Sequence, residues 1–183
     1  MSVTQGQTTY NQFPAFAQPG QLADLTYNEI RMFPANEVIQ PGRLLALASD
    51  GLSCQQVQET GDTTLTTLLG ISVLVTARES SGAFGITAYG VGGPQYNIGD
   101  SVPVLMRGAI YAEWKGTTQT AVGMPNYYHS STTATDRGKI TDAATAAGSG
   151  VEISNTGHGI RVRQALPGTG NIVLLDVNLP GAA

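Results

Sequence analysis

Charged residues are scarce in this chain, and their scarcity limits what the chain can bind. They make up 12% of its 183 residues, about half of the share that is usual in soluble domains. Lys115 and Lys139 are the only lysines, and the net charge is −4 at pH 7. Proteins that bind nucleic acids or anionic membrane surfaces carry clustered basic residues instead. The sequence therefore predicts that neither a nucleic acid nor a membrane is a partner.

Cysteine and histidine are also nearly absent, which bears on metals and disulfides. Cys54 is the single cysteine, so the chain has no intramolecular disulfide and no CxxC pair, and we interpret it as a strand residue without a redox role. The two histidines, His129 and His158, stand in polar contexts without an HxH or HExxH spacing. The acidic residues are dispersed and form no Asp-x-Asp calcium loop. We predict no bound metal and no cofactor.

The motifs that usually carry catalysis are incomplete. Gly51–Gln55 begins like the GxSxG turn of a serine hydrolase, but Gln55 stands where the second glycine belongs. Gly90–Pro94 is rich in glycine, but no Lys-Ser/Thr pair follows it, and we interpret it as a loop without a phosphate site. The chain is therefore predicted not to be an enzyme.

Long apolar runs are missing as well. The longest of them, such as Leu68 to Val75, is far too short to span a bilayer. Met1–Gly6 has neither a cationic start nor an apolar segment of the kind that signal peptides have. We expect a soluble protein that is made in a cytoplasm.

The residues that are abundant indicate a mainly β protein. Apolar runs with β-branched residues are separated by Gly, Pro and Asp-Gly turns at intervals typical of a small β-sandwich or β-barrel. Gly70 and Gly108 lie inside such runs and predict bulges or close backbone packing. Tyr27–Met32 is predicted to form one helical turn. Long Gly/Thr-rich loops are predicted between the strands, among them residues 80–99, whereas 116–150 consists of Thr, Ala, Ser and Gly with little pattern. The clearest predicted strands are Thr66–Ala77, Ser101–Trp114, Ile160–Arg163 and Asn171–Val177.

Residues 1–25 are predicted to form an extended arm, and residues 26–183 a single β-rich domain. The arm is polar and lacks periodicity, and Pro14 and Pro19 interrupt it. Its aromatic residues need a surface to bury against, because they bring a large apolar area. We expect Tyr10, Phe13 and Phe16 to anchor the arm on a neighbouring subunit or on another protein. The alternative is that they pack on the arm's own domain.

Several segments, taken in order, match the motifs of one known family. Phe16–Asp24 is similar to the opening motif GQ-x-AD, Glu37–Arg43 to the strand entry E-x-I/V-x-x-G-R, and Leu69–Ser72 to the strand LGI-(A/S). Tyr96–Tyr111 resembles the signature Y-x-x-GD-x-V-x-V-(L/M)-x-x-G-x-I-x-V, and the strand at Ile172–Val177 also fits. In this set of motifs the chain resembles the capsid cement (head decoration) proteins of bacteriophages. The departures from the family pattern are Ala112–Trp114 and the long polar stretch from Gly116 to Gly150.

The resemblance implies a virion protein that lies on the capsid exterior. Its expected partner is the major capsid protein, whose capsomers it would hold together. The chain is also expected to bind copies of itself in a closed homo-oligomer, because closed oligomers match the symmetry axes of shells. We predict a trimer in preference to a dimer. A neutral surface rich in Thr, Gln and Asn suits this role, since it can hydrogen-bond without stripping charges of water.

The alternative function is a β-rich tail-fibre or spike domain that binds glycans on the host surface. Thr/Gly-rich β proteins serve that role too, and composition does not separate the two. A stalk of β-helical repeats would favour a fibre, and no fixed-period repeat is visible in the sequence.

Overall fold

The structure of the chain, a computed structural model, contains ten β-strands and no helix among the residues that it describes. Those residues are 18–24, 27–58, 67–75, 95–115, 127–129, 136–141, 150–152, 159–165 and 172–179. The strands are β1 Glu29–Pro34, β2 Leu44–Leu47, β3 Cys54–Gln56, β4 Leu68–Ser72, β5 Ser101–Glu113, β6 Tyr127–His129, β7 Ile140–Thr141, β8 Gly150–Glu152, β9 Arg161–Ala165 and β10 Ile172–Asn178.

Two antiparallel sheets contain all of these strands. The larger has seven strands in the order β3-β2-β4-β5-β10-β9, with β1 also paired to β5, and the smaller has the order β7-β6-β8. The prediction of a mainly β protein is thus confirmed. The finer choice of a sandwich or a barrel, the long loops and the division into an arm and one domain stay predictions.

Strand β5 is the centre of the larger sheet because each of its halves is hydrogen-bonded to other strands of the sheet. Its first half pairs with β1 and β4, with Phe33 opposite Val102 and Ile71 opposite Leu105. Its second half pairs with β10, from Ile172 opposite Glu113 to Asn178 opposite Arg107. The Ser101–Trp114 strand prediction is therefore confirmed to within one residue.

The sheet is buried on both faces, which explains why β2 and β4 consist almost entirely of apolar residues. On one face Leu44, Ile71 and Leu105 join a large cluster that extends to β9 and β10. On the other face Leu45 and Leu69 join a second cluster around Val102 and Val104. Alternate residues of one strand thus serve two different cores.

Gly70 brings β4 close to β5, as the sequence predicted. A Cβ atom at this position would overlap the Leu105 carbonyl group. The register between β2 and β4 also shifts here, because Leu45 faces Gly70 while Ala46 faces Leu68. A glycine is needed because only its missing side chain leaves room for the neighbouring backbone.

The helical turn predicted for Tyr27–Met32 is wrong, because β1 begins at Glu29 and is extended. Its residues include good helix formers such as Glu29 and Met32, but propensity is a weak guide in so short a segment. Pairing with β5 supplies backbone hydrogen bonds to an extended chain, and this decides the conformation.

The polar stretch from Gly116 to Gly150, in which the sequence shows little pattern, contributes β6, β7 and the first residue of β8. The segment 136–140 fastens this part to the larger sheet. Gly138 accepts a hydrogen bond from Leu44 N at 2.8 Å and donates one to Val57 O at 3.0 Å. Its φ of +69° and the Leu44 oxygen, which would lie 2.7 Å from a Cβ atom, both require glycine.

Residues 18–24, the last part of the predicted arm, lie along the second half of β5. Tyr111 N donates to Gln21 O at 3.0 Å, and Ala23 N donates to Ala109 O at 2.9 Å. Leu22 forms an antiparallel bridge with Ile110 and packs against the large cluster. This end of the predicted arm is therefore bonded to the chain's own sheet.

Candidate binding surfaces and their support

The three residues predicted to anchor the arm, Tyr10, Phe13 and Phe16, lie outside the described residues. Their role as contacts stays a prediction. The described residues instead show two features that sequence reasoning missed. One is a cluster of ion pairs that ties distant segments together, and the other is a set of apolar side chains exposed to solvent.

The ion-pair cluster is centred on Arg43, whose side chain is only 2% exposed. Its Nε lies 2.7 Å from Glu113 Oε2 at the end of β5. Its Nη1 donates to Arg137 O at 2.6 Å, and its Nη2 donates to Gln40 Oε1. Burial lowers the pKa of the Arg43 guanidinium, and the negative charge of Glu113 opposes that shift. Arginine stays charged under such a shift, so the buried cation depends on these partners.

Further ion pairs extend the cluster to segment 136–140. Lys139 Nζ lies 2.8 Å from the second oxygen of Glu113, and Lys115 Nζ lies 2.5 Å from Asp136 Oδ2. Arg137 Nη1 lies 3.1 Å from Glu37 Oε2. The cluster therefore joins the chain before β2, the end of β5 and the segment before β7.

The carboxyl group of Asp136 has a shifted pKa within the cluster. Partial burial works to raise its pKa, but hydrogen bonds and charges from Lys115 and Lys139 outweigh burial. The net pKa of Asp136 lies below its ordinary value. The Asp136 carboxylate therefore stays ionised, and paired with the two lysines, to a lower pH than an isolated aspartate would.

Glu37 and Arg43 are the first and last residues of the E-x-I/V-x-x-G-R motif, and both belong to this cluster. The cluster therefore gives that motif a physical role. The departure at Glu113 has a role too, because Glu113 is the partner of both Arg43 and Lys139. The charges of the cluster come from three separate parts of the sequence, 37–43, 113–115 and 136–139, so sequence reasoning did not bring them together.

The Tyr96–Asp100 motif forms a turn that leads into β5. Tyr96 is buried, and its hydroxyl donates to Val73 O. Asp100 Oδ2 accepts a hydrogen bond from Asn97 N at 2.9 Å, and Gly99 N donates to Ala35 O at 2.8 Å. The motif therefore fixes the start of the central strand rather than forming a chemical site.

Cys54 is the first residue of β3 and is fully buried, which confirms its interpretation as a strand residue. Burial away from water raises the pKa of its thiol to about 12. Because the thiolate is the reactive form of cysteine, this side chain is inert near neutral pH.

Exposed apolar residues occur on the edge strand β1 and just before it. Met32 is 58% exposed, Ile30 39% and Tyr27 83%. Phe33, on the opposite face of β1, packs against a buried cluster. An exposed apolar stripe on an edge strand is unusual, because edge strands normally carry residues that discourage pairing.

A second set of exposed apolar residues, the loop group, consists of Val38, Leu52 and Ile98. The segments that carry them are bonded to one another. Asn36 N donates to Cys54 O, and Ile39 N donates to Tyr96 O, each at 2.9 Å. Exposed apolar groups of this kind are common at protein-protein contacts.

Side chains that bind metals do not gather in the described part of the chain. No group of three or more His, Cys, Asp or Glu side chains there could hold a metal ion. No helix among the described residues is long and apolar enough to cross a membrane.

Comparison with known proteins decides the family. The chain matches the phage family described as "Structural cement protein (E217 gp24/Pam3 gp6)" over residues 6–178. The chain belongs to this structural cement protein family. The match includes the polar stretch from Gly116 to Gly150, which departed from the expected pattern. No match is found among the curated proteins.

A solved structure supports the same fold. The chain is similar to a chain in a structure described as "The capsid of Myoviridae Phage XM1", with a TM-score of 0.59 and 15% sequence identity. The similarity covers 94% of this chain and 98% of the other. Membership of the cement protein family gives the chain a structural role in the phage capsid, which agrees with the prediction that it is not an enzyme.

Proposed function

We propose that the chain binds the outer surface of a bacteriophage head and stabilises the contacts between capsomers of the major capsid protein. The observation that carries this proposal is the cement family match over residues 6–178. The protein would then be made in the host cytoplasm and become part of the virion exterior.

The properties of the described residues suit such a role. A cement protein must resist strain across a shell, which calls for a rigid body and a large contact area. Arg43 and its partners lock three distant segments together, and the two clusters of the larger sheet bury both of its faces. The low charge of the chain reduces the desolvation cost of a wide contact.

Two parts of the chain are proposed to contact the capsid. One is the arm, now restricted to residues 1–17, with Tyr10, Phe13 and Phe16 as anchors. The other is the loop group, whose apolar side chains are exposed in the isolated chain. A homo-oligomer would present several such contacts at once, and weak contacts repeated on a shell add through multivalency.

A decoration experiment tests the proposal. Phage heads assembled without this protein are mixed with the purified chain, pelleted, and imaged by cryo-electron microscopy. We expect density for the chain outside the capsomers and a higher melting temperature of the decorated heads. Binding to tails or host glycans with bare heads left undecorated would contradict the proposal.

A further inference from the structure

The edge strand β1 has an outer edge that is open among the described residues. Pro103, opposite Met32, has no N–H group, and its carbonyl accepts a hydrogen bond from Val73 N on the β4 side. Met32 therefore stands in a non-hydrogen-bonded position towards β5, and its own N–H and C=O point away from β5. Ile30, two residues earlier, points its backbone groups the same way.

Residues 29–33 carry few of the features that discourage another strand from pairing there. Edge strands are usually protected by charged side chains, above all lysine, by proline or by a bulge. The two charges of this stretch, Glu29 and Arg31, are opposite in sign, so they can pair with those of a second copy. Residues 29–33 contain no lysine or proline, and the extra residue at the register shift lies on β5, since Glu29 faces Arg107 while Ile30 faces Leu105. Pro34 ends the open stretch. The apolar side chains of Ile30 and Met32 lie exposed along it.

We propose that β1 pairs antiparallel with β1 of a second copy of this chain, about a two-fold axis at Ile30. This inference does not depend on capsid binding. It gives the homo-oligomer a two-fold contact in place of the three-fold arrangement predicted from shell symmetry. A two-fold contact is self-complementary, so the sequence of one strand must match itself when reversed.

The charges of β1 select the register of this pairing. With Ile30 opposite Ile30 of the other copy, each Glu29 faces an Arg31, and Tyr27 faces Phe33. Centring the pair on Arg31 or on Glu29 would place two like charges opposite each other, which is unfavourable. Centring it on Met32 would place Ile30 opposite Pro34, which has no N–H to donate.

The expected contact is small, because one short strand pair buries less area than a stable dimer needs. The free protein should therefore associate weakly and reversibly, with the association growing between micromolar and millimolar concentration. On a shell, where the copies are held near each other, a weak contact of this kind is strengthened by the high local concentration.

Disulfide trapping of the full chain tests the register. Hydrogen-bonded antiparallel partners lie with Cα atoms about 5.5 Å apart, a separation that a disulfide spans. Ile30→Cys should therefore cross-link two copies under mild oxidation. Met32→Cys is the matched control, because the two Met32 positions would lie roughly 13 Å apart. The native Cys54 is buried and does not compete.

An exchange of charges on β1 tests the same contact. Within one chain Arg31 Nη2 lies 3.0 Å from Glu29 Oε1. The variants are chosen so that the loss of this ion pair can be told apart from the loss of the contact between two copies. Glu29→Arg and Arg31→Glu each place like charges across the two-fold axis, so each should weaken association about tenfold. An equimolar mixture of the two variants should associate again. Its two copies carry opposite charges, although the ion pair within each chain remains broken.

Three results would overturn the proposal. The first is a chain that stays monomeric in sedimentation at every concentration and gives no Ile30→Cys cross-link. The second is equal cross-linking of Ile30→Cys and Met32→Cys, which would exclude this register. The third is a set of charge variants that associate like the original chain but bind heads poorly, which would assign the β1 edge to the capsid protein.

Discussion

At the scale of single residues, Arg43 shows how one buried charge can hold a β protein together. Arg43→Met should destabilise the fold by about 3 kcal/mol, because it leaves Glu113 and the polar groups around it without their buried partner. Arg163→Met is a matched control, since Arg163 and Asp176 form an exposed pair 3.5 Å apart. That control should change stability by less than about 1 kcal/mol. Urea denaturation measures both, and equal losses would show that burial of Arg43 contributes nothing.

Also at the residue scale, the charged cluster illustrates what the sequence could not reveal. The motif that contains Glu37 and Arg43 is visible in the sequence, but its partner Glu113 stands out there only as a departure from the family pattern. Lys139 lies in a stretch without any pattern. Ion pairs between residues so far apart in sequence are created by the fold, and only a three-dimensional structure or covariation between homologues brings them together.

At the scale of elements, the sequence predicted long strands better than short ones. β5 was predicted nearly to its ends because thirteen residues carry a repeated apolar pattern and a glycine. β7 has two residues, and β6 and β8 have three each. Such short strands lie among Thr, Ala, Ser and Gly and carry no usable period. They depend on tertiary contacts, as does β1, whose local sequence favoured a helix.

The docking of segment 136–140 onto the larger sheet can be tested through its glycine. Gly138→Ala should destabilise the fold by about 2 to 4 kcal/mol, because it adds both a strained φ and a clash with the Leu44 carbonyl. Gly51→Ala separates these effects, since Gly51 has a similar φ of +67° but no atom within 4 Å of the place that a Cβ would take. That variant should lose only about 1 kcal/mol from backbone strain. Similar losses in thermal or urea unfolding would mean that segment 136–140 is not tightly docked.

At the scale of the whole molecule, the ion-pair cluster predicts sensitivity to acid. The folded-state pKa of Asp136 is lowered, so its stabilising contribution is fully present above the unfolded value, near pH 4, and is lost as the pH falls through the lowered pKa. The melting temperature should therefore drop below about pH 4. Asp136→Asn should melt lower at neutral pH and lose less on acidification. Parallel melting profiles of the two proteins would contradict this prediction.

At the same scale, two truncations can test the proposed division of the chain into an arm and a β domain. Deleting residues 1–17 should leave the melting temperature nearly unchanged, because the hydrogen bonds from residues 20–23 to β5 remain. Head binding should weaken strongly, with each lost aromatic anchor worth about 1 to 3 kcal/mol.

Deleting residues 1–24 is the matched control for this truncation. It removes the bonds from Gln21 and Ala23 to β5 and the packing of Leu22 on the large cluster, so it should lower the melting temperature markedly. Thermal unfolding and head pelleting would be measured on both truncations. If the shorter deletion already melts early or aggregates, Tyr10, Phe13 and Phe16 belong to the core of their own domain. If it stays folded and binds heads as well as the full chain, the aromatic residues anchor nothing, and head binding must come from other surfaces such as the loop group.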